Sequence, residues 1–446
     1  MRESLQLDPK EKIVEFFQDL YTRDLQKRET SSLTVLKESS WKKFLSLGFP
    51  DRGNEAFQYY PFGRLQEALL QRNEATPECS QIEELPSVIL EESKRSSLVF
   101  LDGEFRGDLS SLENLPKQVV ILSLEEALDS SYSQFLKHRM QVLLQQEEDP
   151  LALLNGALCS SGLFIYVPSK VRIPAPIQLV FMQTDSSLPY IGTRVHLFLG
   201  AHSEVQIINS NEGTLKGDTL CNHFFDVSLE EGAMFSCTRS TGQENKTFSF
   251  ESFRASLKKE SVMKSFLATF GSSAMRHDYR VSLLGERADA DLSGLAAVGH
   301  TNHSHVNVYM DHSAHSCRSN QFFKNALFSQ SKASFTGKIH VKRPAQKTEA
   351  YQLNKNLLFS DQATIYSKPN LEIFADDVKA SHGSTIAQID EEQMLYLRTR
   401  GISSKEATAL LTVGFCQELL DKISLKSLRK TLERSYKSFL LEGSEK

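Results

Sequence analysis

The sequence predicts a mainly β protein with helical ends, and three observations support this prediction. Short apolar and β-branched clusters divided by turn residues recur from about residue 162 to residue 374. An amphipathic pattern of helical period precedes this body, and a second one follows it. We therefore divide the chain into an N-terminal helical and α/β region (1–160), a strand-rich core (161–388) and a C-terminal helical domain (389–446).

Length, charge and hydropathy exclude several classes of protein. The chain has 446 residues, enough to bury a substantial core, and a formal net charge of −5. General nucleic-acid binding is disfavoured because phosphate recognition needs clustered positive charge. No apolar run approaches the roughly 20 residues of a membrane-spanning helix, and the first residues lack the pattern of a secretion signal. The sequence therefore predicts a cytoplasmic protein that binds neither nucleic acid nor membrane.

The cysteines are scattered and include no CxxC pair, which is typical of reduced thiols rather than of a disulfide framework. Iron–sulfur sites held by a single chain usually draw several thiolates from close spacings, so this chain is not expected to hold a cluster alone. The six cysteines are Cys79, Cys159, Cys221, Cys237, Cys317 and Cys416.

The N-terminal region begins with helix signals. Asp8 is a good N-cap, Pro9 suits the first helical position, and apolar residues then recur on one face. A second amphipathic run covers residues 33–47. Residues 80–150 mix charged helical stretches with short apolar runs and predict a small α/β cap, after which Asp149 and Pro150 open another helix.

The core has many short strands and leaves two architectures open. Small residues followed by a polar and an apolar residue recur at irregular intervals, which suits stacked coils with loops of unequal length. From periodicity alone, a β-sandwich and a β-solenoid remain equally acceptable. A terminal coil would leave an open edge that something must cover. Runs with strand composition are 177–182, 194–199, 248–253, 265–270, 279–284, 322–328 and 335–341, and the small residues are Ser203, Ala233, Ala290, Ala333 and Ala363.

The end of the core presents one accessible histidine. Turns are predicted at Ser360-Asp361, at Ser367-Lys368-Pro369 and at Asp376-Asp377, whose aspartates are expected to cap backbone amides. Residues 379–386 are predicted to form a further turn in which small neighbours leave the ring of His382 exposed. Imidazole is a competent iron ligand, whereas a lone histidine in a turn is more often bonded to a backbone carbonyl.

The C-terminal domain reads as consecutive helices that would cover the open edge. Asp390 and Gln393 resemble a capping box, Gly401 marks a helix end, and Ser403 with Glu406 repeats the box. The second helix carries a stripe that is more often packing than docking surface. The stripe consists of Ala407, Leu410, Leu411, Phe415 and Leu419.

A second histidine-rich stretch runs from His300 to His315. On a strand, His303 and His305 would point to one side, as a shared metal requires, and hydrogen-bonded surface strands are the alternative. The chain has no Walker A pattern, no GxGxxG before a helix, no HExxH and no nucleophile elbow. These absences predict that the protein is not an enzyme.

Three motifs near the C-terminus resemble a known family. They are Lys368-Pro369-Asn370-Leu371-Glu372-Ile373, Asp376-Asp377-Val378-Lys379-Ala380-Ser381-His382-Gly383 and Tyr396-Leu397-Arg398-Thr399-Arg400-Gly401-Ile402. Together they closely resemble the SufB/SufD family of the Suf iron–sulfur cluster assembly system, and the second motif is most similar to SufD. The resemblance implies a right-handed parallel β-helix for residues 161–388.

The resemblance also implies a function, that of a non-catalytic scaffold subunit of the SufBCD complex. It implies pairing with a SufB-like paralogue, docking of a SufC-like ABC ATPase on about residues 403–425, and a homodimer when the chain is isolated. The iron–sulfur cluster would be transient and shared with the partner, with His382 as an iron or cluster ligand at the SufB interface.

One departure from the family and two other functions qualify this reading. SufD proteins often have cysteine where this chain has Ala380, so a thiol at that position takes no part. The alternative is a passive structural partner of SufB and SufC with no cluster ligand of its own. A carbohydrate-active β-helix enzyme would need clustered carboxylates on one coil face, which the sequence does not contain.

Overall fold

The computed structural model describes residues 8–26, 32–72, 88–184, 187–213, 218–243, 247–271 and 273–442. The α-helices are α1 (Pro9–Gln26), α2 (Ser32–Leu47), α3 (Phe62–Leu70), α4 (Leu124–Leu128), α5 (Ser133–Gln146), α6 (Pro150–Leu158), α7 (Glu391–Thr399), α8 (Ser404–Leu420) and α9 (Lys426–Glu442). Short 3₁₀ helices cover Glu55–Phe57 and Glu91–Ser93. Cys79 lies outside the described residues.

The strands are β1 (Ser97–Leu101), β2 (Glu104–Ser111), β3 (Val120–Ser123), β4 (Ser161–Val167), β5 (Ile177–Gln183), β6 (Tyr190–Leu199), β7 (Glu204–Gly213), β8 (Thr219–Leu229), β9 (Met234–Gln243), β10 (Thr247–Leu257), β11 (Val262–Gly271), β12 (Ala274–Leu283), β13 (Asp289–Val298), β14 (His303–His312), β15 (Arg318–Leu327), β16 (Lys332–Val341), β17 (Thr348–Leu358), β18 (Thr364–Ile373) and β19 (Val378–Gln388). All seven strand runs predicted in the core fall on these strands.

The strands form two sheets that face each other, with successive core strands alternating between them. Sheet A has the order β19-β17-β15-β13-β11-β9-β7-β5-β1-β2, and sheet B has the order β18-β16-β14-β12-β10-β8-β6-β4-β3. The pairings among β4–β19 are parallel and in register, so Ala274 lies beside His303 and Arg318 beside Glu349. The core is a parallel β-solenoid of about seven turns. This confirms the mainly β prediction and excludes the sandwich, while the handedness stays a prediction.

One corner of the solenoid is built in the same way in seven successive coils. A residue in the left-handed region turns the chain there, and its N–H donates to a carbonyl of the next coil at 2.5–3.3 Å. Buried small residues such as Ser203 and Ala233 directly follow the left-handed residue. Two of the five predicted small residues, Ser203 and Ala233, lie at this corner, whereas Ala290 and Ala333 lie inside β13 and β16 and Ala363 directly precedes β18. The left-handed residues are Lys170, His202, Gly232, Glu260, Arg287, Ser316 and Lys347.

The N-terminal region packs on the outer face of sheet B. Its aromatic residues, including Phe17 and Tyr60, form one apolar cluster with Tyr190, Phe248 and Phe250 of the strands. Strands β1, β2 and β3 of this region also extend both sheets at the first coil. The region is therefore an extension of the solenoid as well as a helical layer over one of its faces.

Buried charges join this helical layer to sheet B. Arg139 of α5 pairs with the buried Asp226 at 2.5 Å, and Glu147 pairs with Arg254 at 2.8 Å. Burial by itself raises the pKa of Glu147, but the charge and hydrogen bonds of Arg254, together with the charge of Arg280, outweigh burial and hold that pKa below its ordinary value. Removing one member of such a pair leaves a buried charge without a partner, so these pairs fix where the layer sits.

The C-terminal helices pack on the outer face of sheet A and do not cover the open edge, which corrects the prediction. Helices α8 and α9 form one apolar cluster with strand residues that include Phe266, Leu295 and Phe322. The hydroxyl of Tyr436 donates to the carbonyl of Leu295 at 2.6 Å and accepts from the N–H of Thr269 at 3.1 Å. Helix α7 buries none of its residues. The open edge of the last coil is therefore left uncovered by the described part of the chain, while Tyr59 and Glu55 of the N-terminal region contact Tyr366 and Lys368 of the coil.

The predicted stripe on α8 is wrong in part. Leu410 is 54% exposed. The buried face of the helix instead includes Ala407, Thr412, Cys416, Leu419 and Leu420. The capping box of Ser403 with Glu406 is confirmed, and Asp390 accepts from the N–H groups of Glu392 and Gln393.

Candidate functional site

The solenoid ends in two open strand edges. Strands β18 and β19 are the outermost strands of sheets B and A. The predicted turn at Ser367-Lys368-Pro369 is wrong, because β18 runs unbroken through it. Pro369 cannot donate a backbone hydrogen bond, and an edge strand tolerates it because one side has no neighbouring strand. An open edge of this kind is a template for pairing with a further strand.

His382 lies in the middle of β19, not in a turn as predicted. It pairs in register with Gln352 of β17 and is exposed. Alternation along the strand places its side chain on the same face as Val378 and Ala380, which contact the interior core. The ring therefore points toward the space between the sheets at the uncovered last coil.

Amides fill the interior of the last coils beneath this histidine. Gln352 donates through Nε2 to Oε1 of Gln321 at 2.8 Å. Asn354 accepts through Oδ1 from Nδ2 of Asn356 at 2.7 Å and from the hydroxyl of Ser367 at 2.8 Å. Both glutamines and both asparagines are buried. The solenoid interior thus changes from apolar to polar as it approaches the open end.

Sequence reasoning missed these amides. The signal was the alternation from Gln352 to Asn356, which ordinarily indicates polar side chains facing water. Here the alternation is inverted, because Leu353 packs under the C-terminal helices on the outer face while the amides face inward.

Large apolar side chains are exposed around the same end. Phe374 and Ile386 belong to the last coil, and Leu395 and Tyr396 to α7. Each of the four is more than half exposed to solvent. Grouped apolar exposure at an open sheet edge is typical of a surface that another protein covers.

Three histidines of the histidine-rich run, His303, His305 and His312, are buried, whereas His300 and His315 at its ends are exposed. His303 and His305 do share a side of β14, and their ring nitrogens Nδ1 and Nε2 lie 3.4 Å apart. Burial, together with the charges of Arg64 and Lys332, lowers the pKa of His303 to about 4. Within the described ranges, no group of three or more His, Cys, Asp or Glu side chains is arranged to hold a metal ion.

The turn at Asp376-Asp377 is present, and its contacts run through the backbone. The N–H of Asp377 donates to Oε1 of Gln346 at 2.9 Å, and its carbonyl accepts from the N–H of Lys347 at 2.5 Å. The carboxylates thus mark a corner of the coil, and acid–base work by this pair finds no support in its surroundings.

The described cysteines are all buried and unpaired. Burial raises the pKa of Cys221 to about 12 and that of Cys237 to about 11. Such thiols stay protonated near neutral pH and are poor metal ligands. At the open end, the chain therefore offers an imidazole and amides but no thiolate from its described residues.

Two family models together match almost the whole chain. The model described as SUF system FeS cluster assembly, SufBD core domain, matches residues 181–415. The model described as SufBD protein N-terminal region matches residues 9–179. The first match alone covers more than half of the chain and includes His382, Ala380 and the amides beneath them.

Relatives of both branches are similar over most of their length. An iron–sulfur cluster assembly SufBD family protein of Synechocystis sp. is 27% identical over 362 residues, which are 77% of this chain and 78% of that protein. The iron–sulfur cluster assembly protein SufD of Escherichia coli is 26% identical over 393 residues, 87% of this chain and 89% of that protein. SufB of Bacillus subtilis is 24% identical over 324 residues, 70% of this chain and 68% of that protein.

None of the helices in the described ranges combines the length and the apolar character needed to cross a bilayer. The solenoid with its uncovered last coil, the motifs around His382 and the two family models all agree, and the chain belongs to the SufBD family of iron–sulfur cluster assembly proteins.

Proposed function

We propose that this chain is a SufD-like scaffold subunit of a SufBCD complex, in which His382 provides one ligand to the iron–sulfur cluster being assembled. The observation that carries the proposal is the position of His382. It is an exposed imidazole that faces inward on the last strand of a solenoid whose end is open. The cluster is the cargo of the complex and is not a resident cofactor of this chain.

The two open edges support pairing with a SufB-like chain. The edge strands β18 and β19 span ten and eleven residues, long enough to pair with strands of a second solenoid. The SufB of Bacillus subtilis is similar to this chain over 324 residues, so a SufB-like partner would present matching edges. The exposed Phe374 and Ile386 would then be buried. Without SufB, the same edges would pair two copies of this chain.

A shared site follows from the ligands that this chain has and lacks. Ala380 occupies the neighbouring inward position of β19, where it contributes no thiol. Thiolate is the usual ligand of iron–sulfur clusters, and imidazole can replace some of the thiolates. The thiolates would therefore come from the SufB-like partner, and His382 would complete the site from the opposite side.

The C-terminal helices would dock a SufC-like ATPase at about residues 403–425. The face of α8 that packs on sheet A is occupied, so the contact would use the opposite face, which exposes Leu410. Leu395 and Tyr396 of α7 lie just before this segment and are exposed as well. ATP hydrolysis would belong to SufC, and this chain would act in the cytoplasm as a scaffold without a catalytic nucleophile.

The test is His382→Ala in the assembled complex. The variant is co-produced with SufB and SufC, complex formation is measured by gel filtration, and iron and sulfide are measured per complex. We expect an intact complex with cluster content reduced several-fold. The matched control is His138→Ala, which removes an exposed histidine from α5 and should change neither quantity.

Unchanged cluster content in the His382→Ala complex would remove the ligand role and favour the second candidate, a passive structural partner of SufB and SufC. Ala380 is the observation that favours this second candidate, because the usual thiol is missing beside the histidine. Failure of the wild-type chain to bind SufB and SufC would remove both.

A further inference from the structure

We infer that Gln352 is a positioning residue for His382: its side-chain carbonyl accepts a hydrogen bond from the imidazole and leaves the other ring nitrogen directed at the cluster. This inference rests on the proposed ligand role of His382. It assigns to the buried glutamine a task beyond packing, and it concerns the protein alone as well as the complex.

Three side chains are aligned in one column inside the solenoid. Gln321, Gln352 and His382 are successive rungs of the in-register ladder formed by β15, β17 and β19. Neighbouring strands of a sheet lie about 4.8 Å apart, so each side chain stands directly beside the next. His382 is the outermost rung and Gln352 is the rung below it.

The side-chain amide of Gln352 has a defined orientation. Gln352 donates through Nε2 to Gln321 at 2.8 Å, so its nitrogen is directed down the column. In a ladder of amides, a group that donates to one rung presents its oxygen toward the opposite rung. The opposite rung here is His382.

The side-chain oxygen of Gln352 is an acceptor that no described residue uses. Gln352 is 2% exposed, and its Oε1 is buried with no hydrogen-bond partner among the residues that the structure describes. Buried polar atoms are almost always paired, and leaving one unpaired costs about 1–3 kcal/mol. The imidazole N–H of His382 is the adjacent donor that can reach this oxygen by rotation of an exposed side chain.

The surroundings reserve space for this amide. A Cβ at Gly337 of the facing sheet would lie 2.2 Å from Nε2 of Gln352. A side chain at that position would push the amide out of the column. The position of the Gln352 amide thus depends on Gly337 in sheet B, which leaves it space, and on Gln321 in sheet A, which accepts its hydrogen bond.

A hydrogen bond to Gln352 would fix the tautomer of His382. A neutral imidazole has one N–H donor and one nitrogen acceptor, and the hydrogen bond at one nitrogen decides which nitrogen is left to bind metal. Histidines that bind metals usually donate their second N–H to an oxygen acceptor, which fixes the tautomer and the ring orientation. Gln352 would do this for His382 before the partner or the cluster arrives.

The test is the tautomer of His382 in the isolated protein, read from ¹⁵N spectra of histidine-labelled chain and assigned with His382→Ala. The ratio of the two tautomers at His382 should be about five times the ratio at the exposed His138, as a net hydrogen bond of ordinary strength predicts. Gln352→Met, which keeps the length of the side chain but removes the acceptor, should bring the His382 ratio to that of His138. Gln352→Glu keeps an acceptor and should preserve the bias.

Equal ratios at His382 and His138 in the wild-type protein would overturn the inference, and so would an unchanged ratio in Gln352→Met. The wild-type comparison decides the matter even if the methionine variant does not fold. In the SufBCD complex, Gln352→Met should weaken cluster retention by about tenfold, as loss of an outer partner of a ligand does elsewhere. A tautomer bias together with full cluster loading of the His382→Ala complex would reject the proposed function while leaving the Gln352–His382 contact in place.

Discussion

At the scale of single residues, the open end is defined by Ala380 and His382, which occupy adjacent inward positions of β19. A thiol at position 380 would give the chain a soft ligand two residues from the imidazole. With alanine at this position, the only possible ligand atoms at the open end are the imidazole nitrogen and amide oxygens. Neutral imidazole binds iron without adding negative charge. A cluster held here would therefore depend on the partner for its thiolates.

Thiol reactivity tests this chemistry. The five described cysteines are buried, and burial also raises the pKa of Cys317 and, to about 12, that of Cys416. Because the thiolate is the reactive form, we expect at most one of the six cysteines to react with a thiol reagent in the folded protein at pH 8.

All six cysteines should react after unfolding in denaturant, which provides the control. The measurement is the number of thiols modified per chain, counted by mass spectrometry in each state. Rapid reaction of two or more cysteines in the folded protein would show that this chain has a thiolate to offer and would weaken the case for a shared site.

At the scale of elements, local patterns identified the strands but not the surface that each face meets. The helix caps and the core strands depend on neighbours in sequence, so they could be predicted. The inward amides and the course of β18 through Pro369 depend on stacking and on edge position, which a single sequence does not encode locally. The exposure of Leu410 and the docking of α8 on sheet A have the same origin.

One hydroxyl joins α9 to two backbone groups of sheet A, in addition to the apolar contacts of α8 and α9. Tyr436 of α9 bonds to the carbonyl of Leu295 and to the N–H of Thr269, both within sheet A. Tyr436→Phe would remove both of these buried hydrogen bonds, so we expect α8 and α9 to be held less tightly by about 1–3 kcal/mol. Hydrogen exchange of the two helices measures the loss as faster exchange.

The control for this variant is Tyr396→Phe. Tyr396 lies on α7 and is 60% exposed, so removal of its hydroxyl should leave hydrogen exchange unchanged. Equal exchange in α8 and α9 of Tyr436→Phe and the wild-type protein would show that the apolar contacts alone hold the helices.

At the scale of the whole molecule, the two ends of the solenoid differ. The first coil is extended by the antiparallel strands β2 and β3, and α4 and α5 pack beside β3 and β4. The last coil presents two edges, exposed apolar side chains and a histidine. Pairing through this end alone, as the proposed function requires, would close a dimer and would not build an open-ended stack of solenoids.

The interior of the solenoid and its contact with the N-terminal layer also make the fold sensitive to acid. Burial lowers the pKa of six strand histidines, to about 4 for His223 and His312 and to about 3 for His277. These histidines are neutral in the folded protein and take up protons near pH 6.5 once unfolded. The unfolded state therefore binds more protons below this pH, and the free energy of unfolding falls as the pH decreases. The six are His196, His223, His277, His303, His305 and His312.

We expect unfolding at pH 5.5 to take up at least about three protons, from His223, His277, His303 and His312, which corresponds to a loss of roughly 5 kcal/mol of stability per pH unit in this range. Folded domains have about 5–15 kcal/mol in total, so such a slope would unfold the protein within about two units below neutrality. The paired carboxylates Glu147 and Asp226, whose pKa values are lowered, add to the loss only below about pH 5, where their unfolded forms begin to bind protons.

Urea unfolding at pH 7.5, 6.5 and 5.5 measures the slope. His223→Gln should reduce it by about one proton, whereas His138→Gln, at an exposed position, should leave it unchanged. A free energy of unfolding that stayed constant from pH 7.5 to 5.5 would mean that these rings accept protons inside the folded solenoid, and the polar groups around them would then have to stabilise positive charge.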